Sequence, residues 1–128
     1  MFERWGRKRP LTGAPGVCRR KTYAARSGYV YQYCFEGRRE LRGATEYVFH
    51  AGTDGKSEAP VSVLVRHDAV REWERVHGRA LVAQEKYAAA KLALFQAFDE
   101  RPAPALMRRE VVVRAADMQA IFENLGID

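Results

Sequence analysis

Residues 29–36 read Tyr29-Val30-Tyr31-Gln32-Tyr33-Cys34-Phe35-Glu36, with an aromatic ring at every second position. Side chains along a strand point alternately to opposite faces, so Tyr29, Tyr31, Tyr33 and Phe35 share one face of a β-strand. Each ring carries a large apolar area, and a row of them calls for a helix laid over it. The competing reading is an open face: tyrosines beside Arg38, Arg39 and Arg42 would stack bases. The core reading is expected for the aromatics that meet the helices.

Downstream, Gly37-Arg38-Arg39 reads as a turn and Tyr47-Val48-Phe49 as a second strand. Gly52-Thr53-Asp54-Gly55 is a turn signal, and Val61–Val65 a third strand. Short connections suit an antiparallel meander. Asp68 is placed to cap a helix carrying Val70, Trp73 and Val76, which stops at Gly78. A longer helix runs from Leu81 to Glu100, before Pro102 and Pro104. Glu110–Arg114 reads as a short fourth strand, and Met118, Ile121, Phe122 and Leu125 form the stripe of a last helix.

In the long helix, Tyr87, Ala88, Leu92, Leu94, Phe95 and Phe98 spread over an arc of about 160°. One sheet face covers less than that. The helix is therefore either central, or it offers surface to a second copy with Leu94 and Phe98 near the contact. Lys91 projects into the arc and is expected to snorkel. The fold expected is α+β, with a three- to four-stranded mainly antiparallel sheet and about three helices on one face. Its core is Val63, Val65, Val70, Trp73, Leu92, Phe95, Phe98, Ile121, Phe122 and Leu125.

Upstream, residues 1–22 hold Gly6, Pro10, Gly13, Pro15 and Gly16 among basic residues. They read as an irregular arm on a single domain spanning 23–128. Its large apolar residues are Phe2, Trp5 and Leu11. Residues 1–42 carry 11 Lys/Arg against 3 Asp/Glu, while the remainder carries 11 against 13. That asymmetry points to an anionic partner, nucleic acid or an acidic protein surface. The residues that would meet it are Arg4, Arg7, Lys8, Arg9, Arg19, Arg20, Lys21, Arg26, Arg38 and Arg39. A bland source competes: Arg outnumbers Lys by 17 to 5, the bias of a GC-rich coding sequence.

No sequence pattern for catalysis stands out. Cys18 and Cys34 lack CxxC spacing and are expected as free thiols, Cys34 as a small buried hydrophobe. His67, Glu74 and His77 could be imagined as ligands, but they and His50 show no metal-binding spacing, so no metal is expected. There is no GxSxG elbow and no phosphate loop, and neither a catalytic residue nor a cofactor is assigned. No apolar run approaches a membrane span and the N-terminus has no secretory pattern, so the expected compartment is the cytoplasm. The expected function is a non-catalytic binding or adaptor module whose basic arm contacts an anionic partner, nucleic acid included. The alternatives are a homo-oligomeric structural subunit, closing as a dimer, whose arm docks on another chain, and an enzyme with an unrecognised site.

Overall fold

The computed structural model describes residues 9–127; Arg4, Arg7 and Lys8, with Phe2 and Trp5, lie outside them. The elements are β1 (Lys21–Ala24), β2 (Val30–Leu41), β3 (Ala44–Gly52), β4 (Ala59–Arg66), α1 (His67–His77), α2 (Ala83–Glu100), a 3-10 turn (Pro104–Arg108), β5 (Val111–Val113) and α3 (Ala115–Leu125). The fold is α+β, with one sheet in the order β1-β2-β3-β4-β5. Strands β1 to β4 form an antiparallel meander, and β5 lies parallel to β4. A parallel neighbour needs a long crossover, which α1 and α2 supply. No helix among the described residues is long and apolar enough to cross a membrane.

The sheet is thus larger than expected and mixed. Strand β1 straddles the boundary between the stretch read as an arm and the domain: Lys21–Ala24 pairs with Val30–Tyr33. Four residues flanked by charges are too few to carry a strand pattern. The turn expected at Gly37-Arg38-Arg39 is instead the middle of β2, which is bulged between Phe35 and Gly37 and continues to Leu41. Gly37 has φ +140°, and a Cβ there would stand 2.9 Å from Leu11 Cβ and 3.0 Å from the Thr12 carbonyl oxygen. A glycine at the bulge lets the arm close on β2. The reversal falls at Arg42-Gly43, between the paired Leu41 and Ala44, where Gly43 takes φ +95°.

Helix α2 seats on the aromatic face. Tyr31 stacks on Phe98 with ring centroids 4.0 Å apart, and Tyr33 is buried beside them. Ala89, Ala90, Ala93 and Ala97 are also buried, and small side chains let the helix approach closely. Leu94 and Phe98 are both 0% exposed, so neither presents surface to a second copy. The wide arc is filled from within the chain, by the sheet and α3. Trp73 of α1 packs on Phe122 of α3 at 5.1 Å. Two other expectations shift. Leu125 is exposed at the end of α3. Helix α1 begins at His67, directly after β4, so Asp68 sits inside its first turn, paired with Arg66 at 2.6 Å, and caps nothing.

The C-terminal end of α2 is clasped by the β1–β2 hairpin. Tyr23 stacks on Phe95 at 4.2 Å and its hydroxyl donates to Asp99 at 2.8 Å. The Ser27 hydroxyl donates to the Phe98 carbonyl at 2.7 Å. Beyond the helix, the Arg101 guanidinium donates to the carbonyls of Leu106, Arg109 and Glu110, folding 101–110 toward β5. At the other end, Arg79 makes a two-pronged contact with Glu85 at 3.0 and 2.8 Å and lies over Trp73. Glu85 also accepts the Val82 N–H, as a carboxylate at a helix start should.

Tyr31→Ala should cost about 3–5 kcal/mol in urea unfolding, as expected for a buried aromatic. The Tyr31 hydroxyl is buried without a hydrogen-bond partner among the described residues, so Tyr31→Phe should leave stability unchanged or higher. A wild-type-like Tyr31→Ala melt contradicts the core role. The second expectation concerns acid. The hydrogen bonds from Arg79 hold the Glu85 carboxyl down at about 2 from an ordinary 4.5. A depressed carboxyl stabilises the fold above 4.5 and loses that contribution as pH falls toward 2. Glu85→Gln should lower the melting temperature at pH 7 and converge on wild type in that acid window, read by thermal melts against pH.

Candidate functional site

The bulge in β2 changes which residues face α2. Before it, Tyr31, Tyr33 and Phe35 occupy the helix side. After it, the register pairs Arg38 with Tyr47 and Glu40 with Thr45, so the even-numbered residues take that side. The face therefore passes from aromatic to charged within a few residues. Ala83 and Gln84, at the start of α2, are exposed, and Tyr87 is its first ring to reach the sheet, 4.9 Å from Phe35. Between the charged end of this face, α1 and the start of α2 lies an open cavity of about 1120 Å3.

Its floor is Tyr33, Phe35, Tyr47, Val65, Val70 and Tyr87. One wall is the arm, from Gly13 to Arg19; the opposite wall is Arg71 of α1 with Gln84 and Lys86 of α2. Burial pushes the Tyr47 phenol up to about 12, and burial also raises Tyr33 and Tyr87. These phenols stay protonated and neutral at ordinary pH. Arg19, Lys21, Arg38, Arg71 and Lys86 line the cavity against a single carboxylate, Glu40. None of the five makes an ion pair among the described residues. Glu40, in contrast, accepts from the Thr45 hydroxyl at 2.9 Å and meets His67 Nε2 at 2.9 Å.

Glu40, His67 and Thr45 resemble a catalytic triad only in composition. A triad uses both ring nitrogens, one toward the nucleophile and one toward the carboxylate. Here Nε2 alone faces both Glu40 and, at 3.4 Å, Thr45, and the threonine proton is directed at the carboxylate. The contact orients Glu40 and leaves no activated hydroxyl. Glu74 and His77 do not join His67: Glu74 accepts the Leu81 N–H at 2.7 Å, and His77 stacks on Trp73 and contacts Gln119.

Of the basic residues singled out in the sequence, Arg19, Lys21 and Arg38 meet at the cavity. The others disperse. Arg20 pairs with Glu58 at 2.6 Å, Arg39 pairs with Glu46 at 3.0 Å and donates to the Arg9 carbonyl, and Arg26 binds Asp99 through its backbone. The residues missed are Arg71 and Lys86, which on a linear reading belong to ordinary helix faces; in the sequence His67 stands out only as an imaginable metal ligand and Tyr87 only as part of the α2 arc. The two cysteines are not free thiols: Cys18 and Cys34 form a disulfide with Cα atoms 5.6 Å apart. It joins the arm wall to β2, where the arm also pairs through Thr12 and Arg38 at 2.8 Å in both directions. The two sulfurs meet through this antiparallel return of the chain, which spacing alone does not reveal.

Lys91 lies over the rings of Tyr33 and Phe95, at 5.8 and 5.9 Å, beside Lys21. Burial first, and then Lys21, lowers its ammonium from the ordinary 10.5. A lysine depressed in the fold opposes stability while it is charged in both states. That cost fades as pH rises through the folded value toward 10.5. Lys91→Met should therefore raise the melting temperature near neutral pH, with the gain shrinking toward alkaline pH; a lower melting temperature at neutral pH contradicts the assignment.

No protein-family model, curated protein or solved structure matches the chain. What this site can do follows from its own chemistry: five cations and one restrained carboxylate around an aromatic floor.

Proposed function

We propose that the protein is a non-catalytic binding module for an anionic ligand with a planar or apolar body. The observation that carries this reading is the cleft's composition, an apolar aromatic floor rimmed by five cations without ion-pair partners among the described residues. Ligand sites are typically largely apolar concavities with a few polar groups that fix orientation. An excess of one sign of charge raises the local concentration of ligands of the other sign. The volume suits a whole small molecule, carboxylate or phosphate included, better than a lone inorganic ion. On this reading the anionic partner expected from the basic arm is kept, but its binding place moves to the cleft. The arm contributes Arg19 and a wall, while the helices contribute Arg71 and Lys86.

A thermal-shift and calorimetric panel tests this reading: inorganic phosphate, an aryl phosphate, a mononucleotide, a medium-chain carboxylate and the neutral alcohol of each organic anion. The amphipathic anions should bind more tightly than phosphate or the neutral partners, and affinity should fall with added salt as the charges are screened. Arg71→Gln and Lys86→Gln, at solvent-accessible positions, should each weaken binding about tenfold, close to 1.4 kcal/mol. Equal binding of anion and neutral alcohol overturns the reading. A single-stranded oligonucleotide that outcompetes every small anion, with a far steeper salt dependence, would return the function to nucleic-acid binding.

A further inference from the structure

The cysteine pair has a second property, independent of whether the cleft binds anything. Glu36 stands at the bulge two residues along β2 from Cys34. One ligand atom from each of Cys18, Cys34 and Glu36 lies within 4.8 Å of the other two. His50 faces Cys34 across the β2–β3 ladder, and its Nδ1 is 3.4 Å from Glu36 Oε1. Cys34 is buried, while Cys18 and Glu36 are half-buried, so the cluster has a protein wall and a route from solvent. Zinc binds thiolate sulfur at about 2.3 Å and carboxylate oxygen at about 2.0–2.2 Å. Ligand atoms around a tetrahedral zinc then stand about 3.5–3.8 Å apart; the two sulfurs, bonded to each other here, must part to that distance on reduction, with Cα atoms 5.6 Å apart and a Glu36 oxygen within 4.8 Å of both. Magnesium and calcium take oxygen ligands and are not matched by two sulfurs.

We propose that, once its disulfide is reduced, the Cys18–Cys34–Glu36 cluster binds a zinc-class divalent cation, so that the arm is fastened to β2 by a sulfur–sulfur bond when oxidised and by a metal when reduced. The exchange balances. A dithiol reductant gives up two electrons and becomes a disulfide, and the Cys18–Cys34 bond breaks to two thiols. The cation then takes both sulfurs as thiolates and releases two protons to solvent. Glu36 supplies the third ligand, a water fills the fourth position, and His50 steadies the Glu36 carboxylate from the outer layer.

Full-length protein, reduced with a phosphine and shown by thiol assay to carry two free thiols, is titrated with Co2+. One equivalent should produce thiolate-to-cobalt charge-transfer absorption and intense visible bands of tetrahedral geometry, and Zn2+ should bleach both. The oxidised protein should show neither. Cys18→Ser should lose most of the charge-transfer band. Glu36→Ala, which keeps both sulfurs, should weaken Co2+ binding at least tenfold, and His50→Ala about tenfold. Zinc should also slow alkylation of the two thiols at least tenfold. Absence of the charge-transfer band in reduced protein that circular dichroism shows folded overturns the proposal. So does unchanged cobalt affinity in Glu36→Ala. Should Cys18→Ser or the reduced chain fail to fold, reduction in the presence of zinc followed by alkylation decides: equal rates with and without zinc overturn the site.

Discussion

Helix α2 is packed on the sheet from Tyr87 onward, with only its first turn outside the core, and the rest of the molecule is arranged around that fact. Its C-terminal half lies against rings from two strands, Tyr31 on Phe98 and Tyr23 on Phe95, and is tied to the hairpin through Asp99 and the Phe98 carbonyl. Offset ring pairs add about 0.5–1.5 kcal/mol each beyond the area they bury. Its N-terminal turn has no such partners and is positioned by the Arg79–Glu85 contact at the corner after α1. A rod seated from Tyr87 onward over a bulged sheet leaves space beside its first turn. The cleft is that space, and Tyr87 marks where the seating stops.

A single inserted residue explains the chemistry of the space. Without the bulge at Glu36, the period of two would carry position 37 and then Arg39 onto the helix side. With it, Arg38 and Glu40 face inward beside Tyr47 and Thr45, while Arg39 moves to the opposite side and pairs with Glu46. Charges beneath a tightly packed helix would be strongly desolvated. Here they line an open cavity, where water or a ligand can reach them. The bulge and the open first turn of α2 are therefore complementary: one supplies charge, and the other keeps it wet.

These two features also mark the boundary of what was legible in the sequence. The aromatic alternation of Tyr29–Phe35 and the wide arc of α2 are strong periodic signals, and each led to its element. The arc was also ambiguous, because periodicity gives its width and not what covers it; the sheet and α3 cover Leu94 and Phe98 within the chain. Gly37 read as punctuation, and only the partner strand distinguishes a turn from a bulge. The site was less legible than the fold. Arg38 and Arg19 were found through charge, but Arg71 and Lys86 reach the cavity through the placement of two helices. Glu40 and His67 are 27 residues apart and meet only across the sheet.

The arm is the remaining element, and its attachments are unequal. Thr12 contributes one backbone bridge to Arg38, and Arg20 reaches Glu58 in a two-pronged ion pair whose arginine side is open to solvent. The link between Cys18 and Cys34 closes a loop over a separation of 16 residues. On the chain-entropy account, such a closure removes about 3 kcal/mol of freedom from the unfolded chain. A net backbone hydrogen bond contributes about 1 kcal/mol, so this fastening outweighs either contact of the bridge. Gly13 to Arg19, which form the cleft wall, lie between the bridge and the strand β1. With the cysteines joined, the wall is anchored at three places, Thr12, Cys18 and Lys21. With them separated, the longest unanchored stretch grows to span both sides of Cys18, and the wall loses the anchor nearest the cleft. The state of two sulfur atoms on β2 and the arm thus bears directly on the shape of a cavity formed mainly by the sheet and the helices.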